Sequence, residues 1–227
     1  MVMFLDVALL ILKKDFAIEW RSREVISTTV FFAVSCVLMF SFAFVREGAP
    51  LGDAAAGILW VAVAFSGTLA LGRSFERERH GDTLKALLMA PTPRPAIYVG
   101  KLLGMVLLMT ATEIVLVPLI GLLFQAPLFA RPLLLAALLV SGTVAFAAVG
   151  TLFAAMLVRS RTRDVLLPIL LYPITVPVMI AGVKGTSALL QPAPEEALAW
   201  MWIGLLTALD VVFITVALWV FEPLMTD

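Results

Sequence analysis

Residues 102–124 read LLGMVLLMTATEIVLVPLIGLLF, and Glu113 is the only charged residue in this apolar stretch. A helix needs about 20 apolar residues to cross a hydrocarbon core of about 30 Å. Membrane-spanning strands have only about 9–11 residues and alternate in polarity, which this stretch does not. It therefore predicts a membrane-spanning α-helix.

Five further stretches resemble this one, and the chain as a whole is 62% hydrophobic and only 14% charged. A soluble domain of 227 residues would need more charge to cover its surface. The sequence therefore predicts one all-α, polytopic membrane domain over residues 1–227. Its six predicted spans are about 25–45, 54–72, 102–124, 132–158, 165–183 and 200–221.

The basic residues alternate between the two ends of these spans. Of the 16 Lys and Arg, four precede the first span, six lie between spans two and three, and three lie between spans four and five. The opposite side keeps only Arg46, Arg131 and Lys184. Because loops rich in Lys and Arg stay in the cytoplasm, this pattern predicts that both termini are cytoplasmic.

The segment before the first span has an apolar stripe at helical spacing. The stripe consists of Leu5, Leu9, Leu12, Phe16 and Trp20. Such spacing places these side chains on one face of a helix. We predict an amphipathic helix over residues 4–24 that lies in the membrane interface. A tilted additional span is the alternative, which the charged residues between the stripe positions disfavour.

Three prolines interrupt the fifth predicted span, at Pro168, Pro173 and Pro177. Each removes a backbone donor and clashes with the preceding turn. We therefore expect this helix to be kinked or broken, either for packing alone or for a role in transport.

Small residues recur four or eight positions apart in spans three and four, at Gly100, Gly104, Gly142 and Gly150. Small side chains allow two membrane helices to approach closely. The pattern indicates helix packing, either within the chain or between copies of it.

Two carboxyl groups lie at membrane depth, Glu113 in span three and Asp210 in span six. A charge there costs about 2.5 kcal/mol or more, so such residues face the bundle interior or a cavity. They indicate either a polar pathway or proton site, or interhelical hydrogen bonds to threonines such as Thr110, Thr112 or Thr207.

The longest cytoplasmic segment, residues 73–95, reads RSFERERHGDTLKALLMAPTPRP. We expect Gly81 to end the preceding helix, Asp82 to cap a short new one, Pro91 to end that helix, and Pro93 and Pro95 to prevent its return. The leucines that share one face of this short helix are Leu84, Leu87 and Leu88. A helix of two turns is not stable alone in water, so its leucine face docks against lipid, the bundle or a partner.

This segment resembles the cytoplasmic signature of export-type ABC permeases, in which an acidic residue precedes Gly, then Thr-Leu, and a leucine pair closes on proline. The residues that carry the likeness are Glu78, Gly81, Thr83, Leu84, Leu87, Leu88 and Pro91. More narrowly, the whole chain resembles the heme exporter protein B family of cytochrome c maturation, within the ABC-2 type permeases. That likeness rests on DFAIEWRSRE at 15–24, GILWVAVAFSGTLAL at 57–71, and residues 75–104.

The resemblance implies an ABC-2 type architecture in which residues 4–24 form an elbow helix and residues 73–95 form a coupling loop. The residues expected to bind the ATPase subunit are Glu76, Arg77, Glu78, Arg79, Gly81, Asp82, Thr83, Leu84, Leu87 and Leu88. The implied setting is the bacterial inner membrane. The implied partners are a cytoplasmic ATPase, a second copy of this chain, a heme-handling membrane subunit and a small membrane subunit. ATP hydrolysis would drive heme handling or release of a heme-loaded chaperone.

The chain itself lacks the motifs of an enzyme. It has no Gly-x-x-x-x-Gly-Lys-Ser/Thr loop to hold a nucleotide, one histidine, His80, and one cysteine. We expect no catalytic or metal site, no cofactor bound directly, no nucleic-acid partner, and ATP only through a partner subunit. Other readings of the residues remain open: a permease for a lipid, polysaccharide or drug, a proton-coupled carrier using Glu113 and Asp210, and a scaffold.

Overall fold

The structure is a computed structural model that describes residues 2–44, 52–80, 93–160 and 162–224, without the side chains of 2, 3, 52, 53, 76–80 and 159. Within these ranges it is helical and contains no β-strand, which confirms the predicted all-α class. The long helices are α1 (Val2–Ser22), α2 (Glu24–Phe44), α3 (Gly52–His80), α4 (Arg94–Leu123), α5 (Pro132–Met156), α6 (Arg163–Leu190) and α7 (Glu196–Leu224). Short 3-10 turns occur at Leu128–Ala130 and Leu157–Arg159.

Six of these helices, α2 to α7, are long and apolar enough to cross a membrane, as the sequence predicts. Three of them, α3, α4 and α6, extend well past the apolar stretches. Helix α3 continues to His80, in line with the alternating charges at its end. Helix α6 continues to Leu190 instead of ending near residue 183, because polar residues beyond the hydrocarbon core can keep helical hydrogen bonds.

The start of α4 differs from the predicted third span. That span is predicted from about residue 102, whereas α4 begins at Arg94 with Pro93 as its N-cap residue. The short helix that Pro91 is expected to end lies outside the described residues. Pro95 lies in the first turn, where the missing N–H group would have no partner within the helix in any case.

Helix α1 packs against α4, with Ala8 and Ile11 buried in the contact. The fit is close, because a Cβ atom at Gly100 would lie 2.8 Å from the Ala8 carbonyl oxygen and 2.9 Å from Ile11 Cβ. The stripe residues left exposed by this packing are Leu5, Leu9, Phe16 and Trp20. The bundle thus covers one side of α1 and leaves four of the five stripe residues exposed, as the predicted interfacial position requires.

Helices α3 and α5 form the centre of the bundle. About two thirds of the apolar window of α3 is buried (67%) and 61% of that of α5, against 28% for α2 and 17% for α7. The outer helices expose large apolar side chains such as Phe42 and Trp219. These surfaces suit contact with lipid, which does not penalise exposed apolar area as water does.

The Trp60 side chain holds three central helices together. Its ring lies between Gly142 of α5 and Gly182 of α6, and a Cβ atom at either glycine would overlap the ring. Its indole N–H donates a 3.0 Å hydrogen bond to the Thr186 hydroxyl. Gly142, one of the small residues in the predicted pattern, therefore serves helix packing within one chain.

The same holds for the other small residues of that pattern. A Cβ atom at Gly150 would overlap the Leu71 side chain of α3, and Gly100 contacts α1. At these positions the small-residue spacing serves packing inside the chain.

Candidate functional site

The residues predicted to bind an ATPase lie at and beyond the end of α3. Glu76, Arg77, Glu78 and Arg79 occupy its last turns, which remain helical to His80. The others lie outside the described residues: Gly81, Asp82, Thr83, Leu84, Leu87 and Leu88. The chain is described again from Pro93, where α4 follows.

An ion pair fixes α1 beside the last turns of α3. Lys101, near the start of α4, is only 4% exposed, and its Nζ lies 2.6 Å from Asp15 Oδ2 of α1. The other oxygen of Asp15 lies 3.0 Å from Lys14 Nζ, so one carboxylate serves two ammonium groups. Breaking a buried pair leaves an uncompensated charge, which is strongly destabilising.

Lys101 also reaches the end of α3. Its Nζ lies 5.9 Å from the centroid of the Phe75 ring, and Phe75 is 1% exposed. A cation over an aromatic face is attracted by the ring. Asp15, Lys101 and Phe75, here called the elbow junction, thus connect α1, α4 and the last turns of α3. The helices that precede and follow the predicted docking segment, α3 and α4, are therefore joined at the same end of the bundle.

The corner between α1 and α2 is built by local polar contacts. Arg23 has a positive φ of 52°, which ends α1 and turns the chain. Glu19 Oε1 accepts a 2.8 Å hydrogen bond from the Ile26 backbone N–H in the first turn of α2. A carboxylate at a helix N-terminus also meets the positive end of the helix dipole. Glu19 therefore sets the angle at which α2 leaves the elbow.

Arg163 ties α6 to the same region. It is 4% exposed at the start of α6, and its Nη2 donates a hydrogen bond to the Gly72 carbonyl of α3. The sequence pattern used Arg163 only as a cytoplasmic charge. Neither this contact nor the elbow junction was predicted, because the partners are 91 and 86 residues apart. The sequence indicates these contacts only through the positions of Lys101 and Arg163, each at the edge of an apolar stretch.

Glu113 makes an interhelical hydrogen bond, which is one of the two readings that its position allowed. It is 3% exposed, and the Thr143 hydroxyl of α5 donates to its Oε1. The partners suggested by sequence were wrong for Thr112 and Thr207, whose hydroxyls donate to carbonyls within their own helices, at Leu108 and Ile203. The contact joins α4 to α5 in the bundle interior.

Asp210 lies on α7, the least buried of the six spanning helices. Its Oδ1 is buried without a hydrogen-bond partner among the described residues. The structure therefore does not join Asp210 to Glu113 in a hydrogen-bonded pathway through the described part of the chain.

The three prolines of the fifth span lie inside one continuous helix. Helix α6 runs from Arg163 to Leu190 with Pro168, Pro173 and Pro177 within it. A complete break of this helix, one of the two expected outcomes, does not occur.

No cluster of three or more His, Cys, Asp or Glu side chains that could hold a metal ion is found in the described part of the chain. What the described residues bring together is a set of ionic and aromatic contacts around the base of α3. This arrangement can fix the orientation of the end of α3.

Comparisons with known proteins give a consistent match. The family model described as CcmB protein matches residues 6–223. The heme exporter protein B of Pseudomonas aeruginosa is 29% identical over 189 residues, which is 83% of this chain and 83% of that protein. The protein of the same name from Paracoccus denitrificans is 35% identical over 155 residues, 68% of this chain and 70% of its own length. That of Rhodobacter capsulatus is 28% identical over 193 residues, 83% of this chain and 88% of its own.

Proposed function

The chain belongs to the CcmB protein family, and from this premise we propose that it is the membrane subunit of a heme-exporting ABC transporter of cytochrome c maturation. ATP hydrolysis then takes place in a separate cytoplasmic subunit that docks on residues 73–95. The observation that carries the proposal is the match of residues 6–223 to the family in a chain with six membrane-spanning helices. The names of its relatives favour heme export over another ABC-2 substrate or a proton-coupled carrier.

The structure supports the position of the docking segment. The apolar stretch of α3 ends at Gly72, before Arg73, yet the helix continues to His80. At about 1.5 Å per residue, its last eight residues extend about 12 Å beyond that stretch. The elbow junction and Arg163 hold the base of this projection. A partner that pushes on residues 81–92 would therefore act on a braced helix end, which transmits movement into the bundle.

The proposed assembly contains the cytoplasmic ATPase, a second copy of this chain, a heme-handling membrane subunit and a small membrane subunit. The proposed location is the bacterial inner membrane with both termini in the cytoplasm. The distribution of Lys and Arg supports this orientation, and the family's role in export supports the assembly.

Substitution Leu87→Arg should reduce the amount of ATPase that co-purifies with the chain by about tenfold or more. An unpaired charge forced into a docking groove costs several kcal/mol, and about 1.4 kcal/mol already corresponds to a tenfold loss of affinity. The measurement is a pull-down from native membranes in mild detergent, with vanadate-sensitive ATP hydrolysis assayed in the eluate.

Ala86→Arg is the matched control for this test. Successive helical residues are about 100° apart, so in the predicted short helix position 86 would lie opposite the face of Leu84, Leu87 and Leu88. The control should retain the ATPase. Equal loss in both variants, or equal retention in both, would contradict docking through the leucine face.

The orientation can be tested by labelling of single cysteines. In a Cys36→Ala background, Asp82→Cys should react with an impermeant maleimide only after the cytoplasmic side is opened. Arg131→Cys, placed before α5 and exposed, should react in intact cells or spheroplasts. Reaction of position 82 from outside would place the 73–95 segment on the wrong side and exclude ATPase docking there.

A further inference from the structure

One crevice in the structure has the form of a site for an amphiphile. Its volume is about 390 Å³, and it lies between α1, the start of α2 and the first half of α4. This volume falls within the range of small-molecule sites, about 300–1,000 Å³. None of the roles assigned above to the elbow junction requires an open space at this place.

The crevice is charged at one end and apolar at the other. Along α4 its lining runs from Lys101 to Ala111, a depth of about 15 Å at 1.5 Å per residue. Lys101 lies where α4 enters the apolar stretch, and Leu107, Leu108 and Ala111 lie further into it. The site therefore extends from the membrane surface toward the hydrocarbon core.

The balance of charge in the lining favours an anion. The charged side chains among the described lining residues are Lys14, Arg23, Lys101, Asp15 and Glu19. Three cations thus face two carboxylates. Asp15 is shared by the two lysines, and Glu19 accepts from the backbone of α2. Counted over these described residues alone, the lining carries a formal charge of +1, and basic pockets between membrane helices hold anionic lipid headgroups.

We propose that this crevice binds an anionic phospholipid, with its phosphate at the Lys14 and Lys101 end and one acyl chain along Leu107, Leu108 and Ala111. The bound lipid would fill the gap between α1 and α4. Its phosphate would contact Lys14 and Lys101, the two cations that Asp15 also contacts. The proposal requires only that Lys101 lies near the membrane surface, so it stands independently of the transported substrate and of which face is cytoplasmic.

The test compares lipid retention by purified full-length protein. The protein is reconstituted with an equimolar mixture of palmitoyl-oleoyl phosphatidylglycerol and phosphatidylcholine, re-extracted in mild detergent, and analysed by native mass spectrometry. The unsubstituted protein should retain phosphatidylglycerol in preference. Lys14→Gln should lower this preference about fivefold, the effect of one basic residue near an anionic lipid. Lys13→Gln, which alters an exposed neighbour outside the lining, should not.

A second substitution tests the apolar end. Ala111→Trp should fill the inner part of the crevice and lower retention of both lipids, while Val140→Trp, on an exposed position of α5, should not. Because the two variants alter opposite ends, one remains informative if the other fails to fold. Equal retention of the two lipids by the unsubstituted protein, or retention that neither variant changes, would overturn the proposal.

Discussion

Gly142→Ala should lower the free energy of unfolding by about 2 kcal/mol, although alanine is the better helix former. The added methyl group would overlap the Trp60 ring. The ring has no free space to move into, because Trp60 is only 1% exposed and Gly182 also packs against it. Overpacking a tight core costs about 1–3 kcal/mol. Displacing the ring also strains the hydrogen bond from its indole N–H to Thr186, worth about 1 kcal/mol.

Gly204→Ala provides the matched control, because a Cβ atom at Gly204 meets nothing within 4 Å. There the substitution should be neutral or stabilising by up to about 1 kcal/mol, the helix-propensity difference. Thermal unfolding in mild detergent, followed by size-exclusion chromatography of the heated protein, compares the two variants. A Gly142→Ala protein as stable as Gly204→Ala would show that the Trp60 ring is not confined as described.

Trp60→Leu in the Gly142→Ala background extends this test. The smaller side chain removes the overlap but also the hydrogen bond to Thr186, so the two effects separate in a double-mutant cycle. Trp60→Leu should destabilise the parent strongly and the Gly142→Ala variant much less.

The number of spans could be predicted from the sequence because lipid imposes it. A backbone in hydrocarbon must satisfy its hydrogen bonds internally, so each apolar stretch of sufficient length becomes a helix. Helix ends are different. The start of α4 at Arg94 and the end of α6 at Leu190 depend on residues outside the hydrocarbon, which hydropathy does not describe.

The contacts around the candidate site could not be predicted for a related reason. Hydropathy and helical spacing report which face of a helix is apolar, not which helix it meets. Asp15 and Lys101 were both visible as charges, and Thr143 as a small polar residue, but only the tertiary arrangement joins Asp15 to Lys101 and Thr143 to Glu113. Helical spacing predicts the leucine face of residues 84–88 but leaves lipid, the bundle and a partner protein open as what it meets, and only the family resemblance points to an ATPase.

The elbow junction gives the second large effect. Asp15→Leu should lower the free energy of unfolding by about 3 kcal/mol, since it leaves Lys101, which is 4% exposed, without the carboxylate 2.6 Å away. Breaking a buried pair costs about 3–5 kcal/mol, and the 23% exposure of Asp15 places this pair at the lower end. Lys14→Met removes the other cation on Asp15 and should cost less than about 1 kcal/mol, because Lys14 is 32% exposed.

The double variant Asp15→Leu/Lys101→Met should recover most of the lost stability, because replacing both buried charges with apolar groups is often neutral. Thermal unfolding of the parent, Asp15→Leu, Lys101→Met and the double variant measures the coupling directly, and additive losses would show that the two side chains do not act as a pair. The same double variant distinguishes a loss of stability from a loss of the mechanical connection between α1, α4 and the end of α3. It keeps the helices packed but lacks the ionic link between α1 and α4 and the cation beside Phe75. A loss of ATP-driven activity that persists in this folded protein would therefore report on the connection between the elbow and the base of α3 itself.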